Sequence, residues 1–327
     1  MCYTAFFFSL QFLWVTKGST VALAVIYGIS QALVGLNIQH DANHGAASKT
    51  PWINDVLGLG ADFIGGSKWL WMEQHWMHHS YTNHPEKDPD TFGAEPFIIF
   101  NDYALDHPAR KAFHSFQAFF FFFVLAGYWI SAVFNPQILS LKQAGAQSVG
   151  FRMENDYIKD RRKYAISLRL LYIYVHVVVP FQHHSPKTAI YHIAILAVVE
   201  SMTLAVLFSL SHNFVDTNRD PTKEARASGE PVCWFKSEVE ACCTYGGFIS
   251  GALTGGLNFQ VEHHLFPRMS SAHYPYIAPK VREICRKHNV RYVYYPWIHQ
   301  NWWSTMKYLH AAGTGASWEN NPLKGNL

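Results

Sequence analysis

The sequence predicts an all-α integral membrane protein, with about four transmembrane helices beneath a cytoplasmic cap that carries histidine boxes. Three observations predict it. Only 15% of the 327 residues are charged, while 49% are hydrophobic and 16% aromatic. An average soluble domain carries roughly 25% charged residues, so much of this surface is not built to face water. Apolar stretches near span length alternate with strongly polar blocks. The histidines, finally, fall into tight groups at or just past the ends of apolar stretches rather than scattering through them.

The elements follow in chain order. Residues 1–16 are apolar but have neither a basic leading region nor a small-residue cleavage site, so they read as part of a span and not as a signal peptide. They are short against the about 20 residues that a span needs, as if the sequence began inside its first span. Residues 19–39 form the second apolar segment and run into the first histidine group. Residues 45–113 are mostly polar, and within them Ile53 to Trp71 is Gly-broken, in the manner of an interfacial or re-entrant piece. Residues 115–134 are strongly apolar, with the run Phe119 to Phe123. After a polar stretch ending in Arg161, Arg162 and Lys163 come two more apolar segments, 164–180 and 188–210, joined by a short loop containing His183 and His184. The remainder is polar and rich in Tyr, Trp and Pro, and residues 1–327 are read as one domain.

Sidedness limits the count. If all histidine groups feed one centre, the crossings between His79 and His212 must be even in number, yet three apolar segments lie there. The favoured hairpin is 164–180 with 188–210, because Arg161, Arg162 and Lys163 hold its entry on the cytoplasmic side. Residues 115–134 are then interfacial or packed on other helices. The alternative pairing has 115–134 spanning and 164–180 not.

Composition excludes several function classes. A net charge of +3 with no basic run interleaved with aromatics gives no footing for nucleic acid. Five cysteines (Cys2, Cys233, Cys242, Cys243, Cys285) without a C-x-x-C pair fit free thiols in a reducing compartment rather than disulfides or a zinc–thiolate site.

The chemistry lies in three boxes: His40 with His44, His75 with His78 and His79, and Gln260 with His263 and His264. Residues three and four apart share a helix face, so each box presents two or three donors together. His212, after the last apolar segment, is a further candidate. Imidazole is the commonest ligand for transition metals. Seven box histidines, His212 and Gln260 exceed what one ion can use, so two ions are implied. The ligand type fits iron, zinc and copper alike. No H-E-x-x-H occurs, and no Glu-x-x-His, which excludes the soluble carboxylate-bridged di-iron bundle. Asp41, Asn43, Asn213, Asn258 and Glu262 stand beside the ligands as candidates to orient their rings. His183 and His184, on the far side in this topology, are read as non-ligands, and His84, His107, His114, His176, His192 and His273 are left unassigned.

With these boxes the sequence resembles the membrane fatty-acyl desaturases of the front-end class, in which Gln replaces the first histidine of the third box, as at Gln260. The likeness covers nearly the whole chain. The stretches from Gln74 to Pro85, Phe208 to Phe214 and Gly255 to Gln260 look most similar to delta-5 desaturases of diatoms and related algae. The resemblance implies a non-haem di-iron centre, with His40, His44, His75, His78, His79, His212, His263 and His264 as iron ligands and Gln260 in or near the ligand position. It implies O2 as co-substrate, electrons from cytochrome b5 and its NADH reductase, and a fatty-acyl lipid substrate. The site would face the cytosol from the endoplasmic reticulum membrane, and a cis double bond would enter at carbon 5 of 20-carbon polyunsaturated chains. Front-end members usually carry a fused cytochrome b5 domain with a His-Pro-Gly-Gly motif, which does not occur in this sequence. The sequence is therefore an N-terminally incomplete version or takes electrons from a separate cytochrome b5. Delta-6, delta-8 or sphingolipid desaturation and hydroxylation remain as enzymatic alternatives, and a membrane metal transporter as a distant one.

Overall fold

A computed structural model describes residues 2–139, 160–217, 229 and 231–316. Helix α1 (Cys2–Lys17) turns the side chains of Phe7, Leu10 and Trp14 inward and leaves Phe6, Phe8 and Phe12 on its outer face. Its start and end are pinned at opposite ends of the bundle. Tyr3 donates to the Ala252 carbonyl, and the Val15 carbonyl lies 2.9 Å from Nε2 of His183.

Helix α2 (Val21–Asn43) begins at Thr20, whose Oγ1 accepts the Leu23 N–H at 3.1 Å. That cap satisfies one of the four orphan donors at a helix start and is worth about 1 kcal/mol. The last part of α2 is a π turn, Gly35–Gln39. A π turn adds a residue to the helical repeat, which resets the face on which the following His40 stands.

The polar stretch between Phe134 and Arg161 lies largely outside the described residues. Helix α8 (Arg162–His183) and helix α9 (Pro186–Ser209) are the hairpin that the sequence predicts, with Ser185 accepting the Thr188 N–H and Pro186 in the first turn. Helices α2, α8 and α9 are each long and apolar enough to cross a membrane. Gly28 lets α2 approach α9, since a Cβ there would come within 2.9 Å of the Leu196 carbonyl oxygen. Around this contact Phe7, Trp14, Tyr27, Ile64, Trp129, Tyr172, Val175 and Leu196 form the main core.

Ile53 to Trp71 folds as expected of a Gly-broken piece, into short helices α3 (Pro51–Gly58) and α4 (Gly60–Phe63) before α5 (Lys68–Ser80). Residues 115–134 form α6 (Gln117–Ala126) and α7 (Tyr128–Val133), within a helix pair bent by 57° at Gly127. Phe121 and Leu125 of α6 pack on Ala205 of α9, while Phe119 and Phe123 face outward. The segment is thus a broken helix lying against the bundle, and α8 is a full-length apolar helix. The bent pair is a broken span or a re-entrant piece by length and composition, so both pairings stay open.

The cap contains α10 (Trp234–Glu240), α11 (Phe248–Thr254), α12 (Gln260–Leu265), α13 (Tyr274–Lys287) and α14 (Ile298–Thr314). It departs from the all-α expectation at one place among the described residues. The three-residue strands β1 (Cys243–Tyr245) and β2 (Val293–Tyr295) pair in parallel, with Thr244 opposite Tyr294. This pairing ties the C-terminal part to the segment behind His212, where the Cys243 N–H also donates to the Ser211 carbonyl. α14 then docks on α6, and Gln117 donates to the Leu309 carbonyl at 2.8 Å.

One glycine locks the cap to α2. Gly255 has φ +63°, and a Cβ there would stand 2.1 Å from the carbonyl oxygen of Leu36 in the π turn. Gly255→Ala is expected to destabilise the protein by about 1–3 kcal/mol, the usual cost of overpacking. Gly247→Ala, where a Cβ meets nothing within 4 Å, is expected to be near neutral. Thermal unfolding of both variants in detergent checks the contrast.

Candidate metal centre

Four elements from distant parts of the chain bring the donors together. The last turn of α2 supplies His40, and His44 caps that turn. One face of α5 supplies His75, His78 and His79, and α12 supplies Gln260, His263 and His264. His212 comes from the turn just beyond α9.

The donors fall into two sets. One nitrogen each from His40, His44, His75 and His263 lies within 4.8 Å of the others, and so do nitrogens of His78, His212 and His264. His79 stands between the sets, its Nε2 3.1 Å from Nε2 of His75 and its ring stacked at 4.2 Å on His264. Gln260 belongs to the second set, with Nε2 3.1 Å from His212 Nε2 and 3.3 Å from His264 Nε2. All nine sequence-predicted residues therefore meet in one cluster. Among the described residues, none of the unassigned histidines joins either set. His84 and His107 accept from nearby backbone N–H groups, and His114 bridges Lys111 and the Pro96 carbonyl. His183 sits at the far end of the bundle against Val15.

The donor set fits metal. Nε2 of His40, His44 and His263 is buried without a hydrogen-bond partner, and a buried unsatisfied polar atom costs about 1–3 kcal/mol. Three such atoms aimed at one another are accounted for by a cation between them. Burial first, then neighbouring imidazoles, holds His44, His75, His79, His263 and His264 well below the ordinary histidine pKa. These rings are thus neutral near pH 7 and offer a lone pair.

The second set is backed by carboxylates. Nδ1 of His78 is 2.9 Å from Oδ2 of Asp88, and Nδ1 of His264 is 2.8 Å from Oε2 of Glu238. Asp88 is held by the N–H groups of Asn83 and Asp90, and Glu238 by the hydroxyl of Thr82 at 2.7 Å. Burial alone would lower His78, but Asp88 and Asp90 outweigh it and raise the ring to about 9. Burial pushes Glu238 up to about 8, against the opposing pull of Thr82 and His78. Nδ1 of His212 faces the Ala241 carbonyl at 3.3 Å. The first set has softer support. Nδ1 of His263 meets the Tyr274 hydroxyl at 3.2 Å, and Asp41 stands 3.7 Å from His40, too far for a hydrogen bond. Such outer partners fix the ring orientation and leave Nε2 for the ion.

Most of the expected orienting residues point elsewhere. Asp41 accepts from the N–H and hydroxyl of Ser271, and Asn43 bonds Gln39 and the Gly58 carbonyl. Asn258 donates to the Tyr245 and Gly247 carbonyls, Glu262 accepts from Tyr292 and Thr244, and Asn213 donates to Ser209. Adjacent residues on a helix point to different faces, so adjacency to a ligand was a poor guide. Asp88 lay in the polar loop from His84 to Thr91, a weak signal, whereas Glu238 and Tyr274 had none.

Residues 18–296 match the fatty acid desaturase family, and the chain belongs to it. It is similar to an acyl-lipid (7-3)-desaturase of Rebecca salina, 33% identical over 303 residues that cover 90% of this chain and 65% of the relative. It is 30% identical to an acyl-lipid (8-3)-desaturase of Physcomitrium patens over 300 residues, 90% of this chain and 59% of that one. A Delta(5) fatty acid desaturase A of Dictyostelium discoideum is 26% identical over 312 residues, 92% of this chain and 65% of the relative. The chain thus spans less than two thirds of the length of these relatives. Their names differ in regiospecificity, so front-end desaturases are supported as its kin and the delta-5 group is not singled out.

Asp88→Asn and Glu238→Gln are each expected to weaken metal retention about 10- to 100-fold, the usual effect of losing an outer partner. Glu262→Gln, adjacent to His263 but bonded away from it, is expected to retain metal. Elemental analysis of the purified variants, at matched yields of folded protein, checks this contrast.

Proposed function

We propose that the protein is an O2-dependent di-iron desaturase of the front-end class, which places a cis double bond in a polyunsaturated acyl chain esterified to a carrier. The observation that carries this reading is the pair of buried nitrogen sets at one end of apolar helices. Zinc does not change oxidation state, so an oxidation at this centre calls for iron or copper, and the choice of iron rests on the desaturase family. Bound there, iron would supply the oxidising chemistry with O2 that removal of hydrogen from an unactivated methylene requires. The balance is one CH2–CH2 unit, O2, two electrons and two protons going to one CH=CH unit and two waters.

The chain's own groups would act by placement. His40, His44, His75 and His263 would hold one ion, and His78, His212 and His264 the other, with His79 between them and Gln260 at the second. Asp88 and Glu238 would keep the rings of His78 and His264 turned toward the ion. Burial would exclude water from the reacting carbons. A transporter would string its ionisable residues along a pathway within the spans, and collection of the donors at one end argues against it. The narrower reading is insertion at carbon 5 of 20-carbon chains, with electrons from cytochrome b5 and residence in the endoplasmic reticulum membrane. A relative in Chlamydomonas reinhardtii is named chloroplastic, so the compartment is a separate test, made by imaging a tagged chain.

Yeast expressing this chain with free cytochrome b5 and fed 18- and 20-carbon polyunsaturated acids is expected to accumulate a chain with one further cis double bond, read by gas chromatography with mass spectrometry. A new bond at carbon 5 supports the narrow reading, and a bond elsewhere replaces that position while keeping the reaction. Absence of product from folded, iron-loaded protein supplied with reduced cytochrome b5 would overturn the reading.

A further inference from the structure

We propose that Thr82 and Asn83, in the turn after α5, are positioning residues for the second donor set: they hold His78, His212 and His264 in register and so decide whether a second ion binds. This rests on the desaturase reading. Both side chains are buried, Thr82 at 3% and Asn83 at 1% exposure. Asn83 has φ +59°, and Asn289 is the other non-glycine residue at positive φ among the described residues. Left-handed backbone is uncommon outside glycine, although Asn tolerates it better than most. Where it occurs the surrounding contacts must over-determine it, and such positions gather at functional sites.

From that turn the two residues reach the supports of all three donors. Oγ1 of Thr82 is 2.7 Å from Oε2 of Glu238 and 3.0 Å from Nδ1 of His264, and it is 2.8 Å from the His78 carbonyl. It thus closes a triangle with the carboxylate and the ring that the carboxylate holds. The Asn83 N–H donates at 2.7 Å to Oδ2 of Asp88, the same oxygen that meets Nδ1 of His78 at 2.9 Å. The Asn83 side-chain amide donates at 2.9 Å to the Ala241 carbonyl, which also faces Nδ1 of His212 at 3.3 Å. The same amide nitrogen is 3.3 Å from the His212 carbonyl and 2.8 Å from Oγ1 of Thr217.

The three donors come from α5, α12 and the turn beyond α9, and no single helix fixes one of them relative to another. One hydroxyl, one side-chain amide and one backbone N–H of two adjacent residues tie all three together. The first set has other supports: His40 and His44 follow the π turn of α2, and Tyr274 backs His263. Loss of the turn's side chains therefore falls on the second ion. Asn combines tolerance of positive φ with an amide donor. Gly at this position keeps the backbone and gives up the amide, and Val at position 82 keeps the shape and gives up the hydroxyl.

The test measures iron per folded chain, after dialysis of the iron-loaded protein in detergent, together with its ferrous Mössbauer spectrum. Asn83→Gly and Thr82→Val are each expected to weaken the second ion about 10- to 100-fold. One iron is then lost with its spectral component, while the component of the other iron stays. Thr82→Ser, which restores the hydroxyl, is expected to keep both irons. So is Asn289→Gly, which changes the other left-handed asparagine at the exposed end of α13. The two deletions are independent, so if one fails to fold the other decides. A folded Asn83→Gly or Thr82→Val protein that keeps both irons, or loses both together, would overturn the proposal. Wild-type protein that never holds two irons would instead sink the di-iron reading on which the proposal rests.

Discussion

Buried imidazole nitrogens that find no hydrogen-bond partner cost free energy unless a positive charge stands among them. Nε2 of His40, His44 and His263 are buried with no partner. The rest of the cap is arranged around this constraint. It must bring α2, α5, α12 and the turn after α9 to one point and keep water out. The π turn at Gly35–Gln39 and the close seat of Gly255 on Leu36 are the local devices that bring the first and third boxes into register.

The two donor sets are electrostatically unequal. Carboxylates back His78 and His264 in the second set, whereas the first relies on the Tyr274 hydroxyl behind His263. A carboxylate behind an imidazole raises its basicity as a ligand. The asymmetry is a property of the tertiary structure, since the loop after α5 must fold back to bring Asp88 to His78 and α10 must pack on α12 to bring Glu238 to His264.

Within the bundle several buried polar side chains bond one another. Tyr27 faces His176 at 2.9 Å, Trp129 donates to the Tyr172 hydroxyl, and Tyr172 donates to Gln31. Arg169 of α8 donates to the carbonyls of Gly66, Ala132 and Val133, including the C-terminal turn of α7. A cation at the end of that helix offsets its dipole and its orphan carbonyls. These contacts hold the end of α7 and the turn between α4 and α5 against α8, next to the helix that carries three of the histidines.

Periodicity and composition were enough to place the apolar helices, the hairpin and the three boxes. Ligand pairs at one-turn spacing are local, and a helix puts them on one face whatever the rest of the chain does. All five cysteines are free, as their number and spacing indicated. The β1–β2 pair was not legible, because three-residue strands leave no periodic signal. The division of the nine residues into two sets was not legible either. Nor were Asp88, Glu238 and Tyr274. Each of these depends on where separate helices end in space, which residue order along one chain does not encode locally. The sequence by itself determined which donor atoms the boxes offer; the tertiary structure decided which of them lie together and what stands behind them.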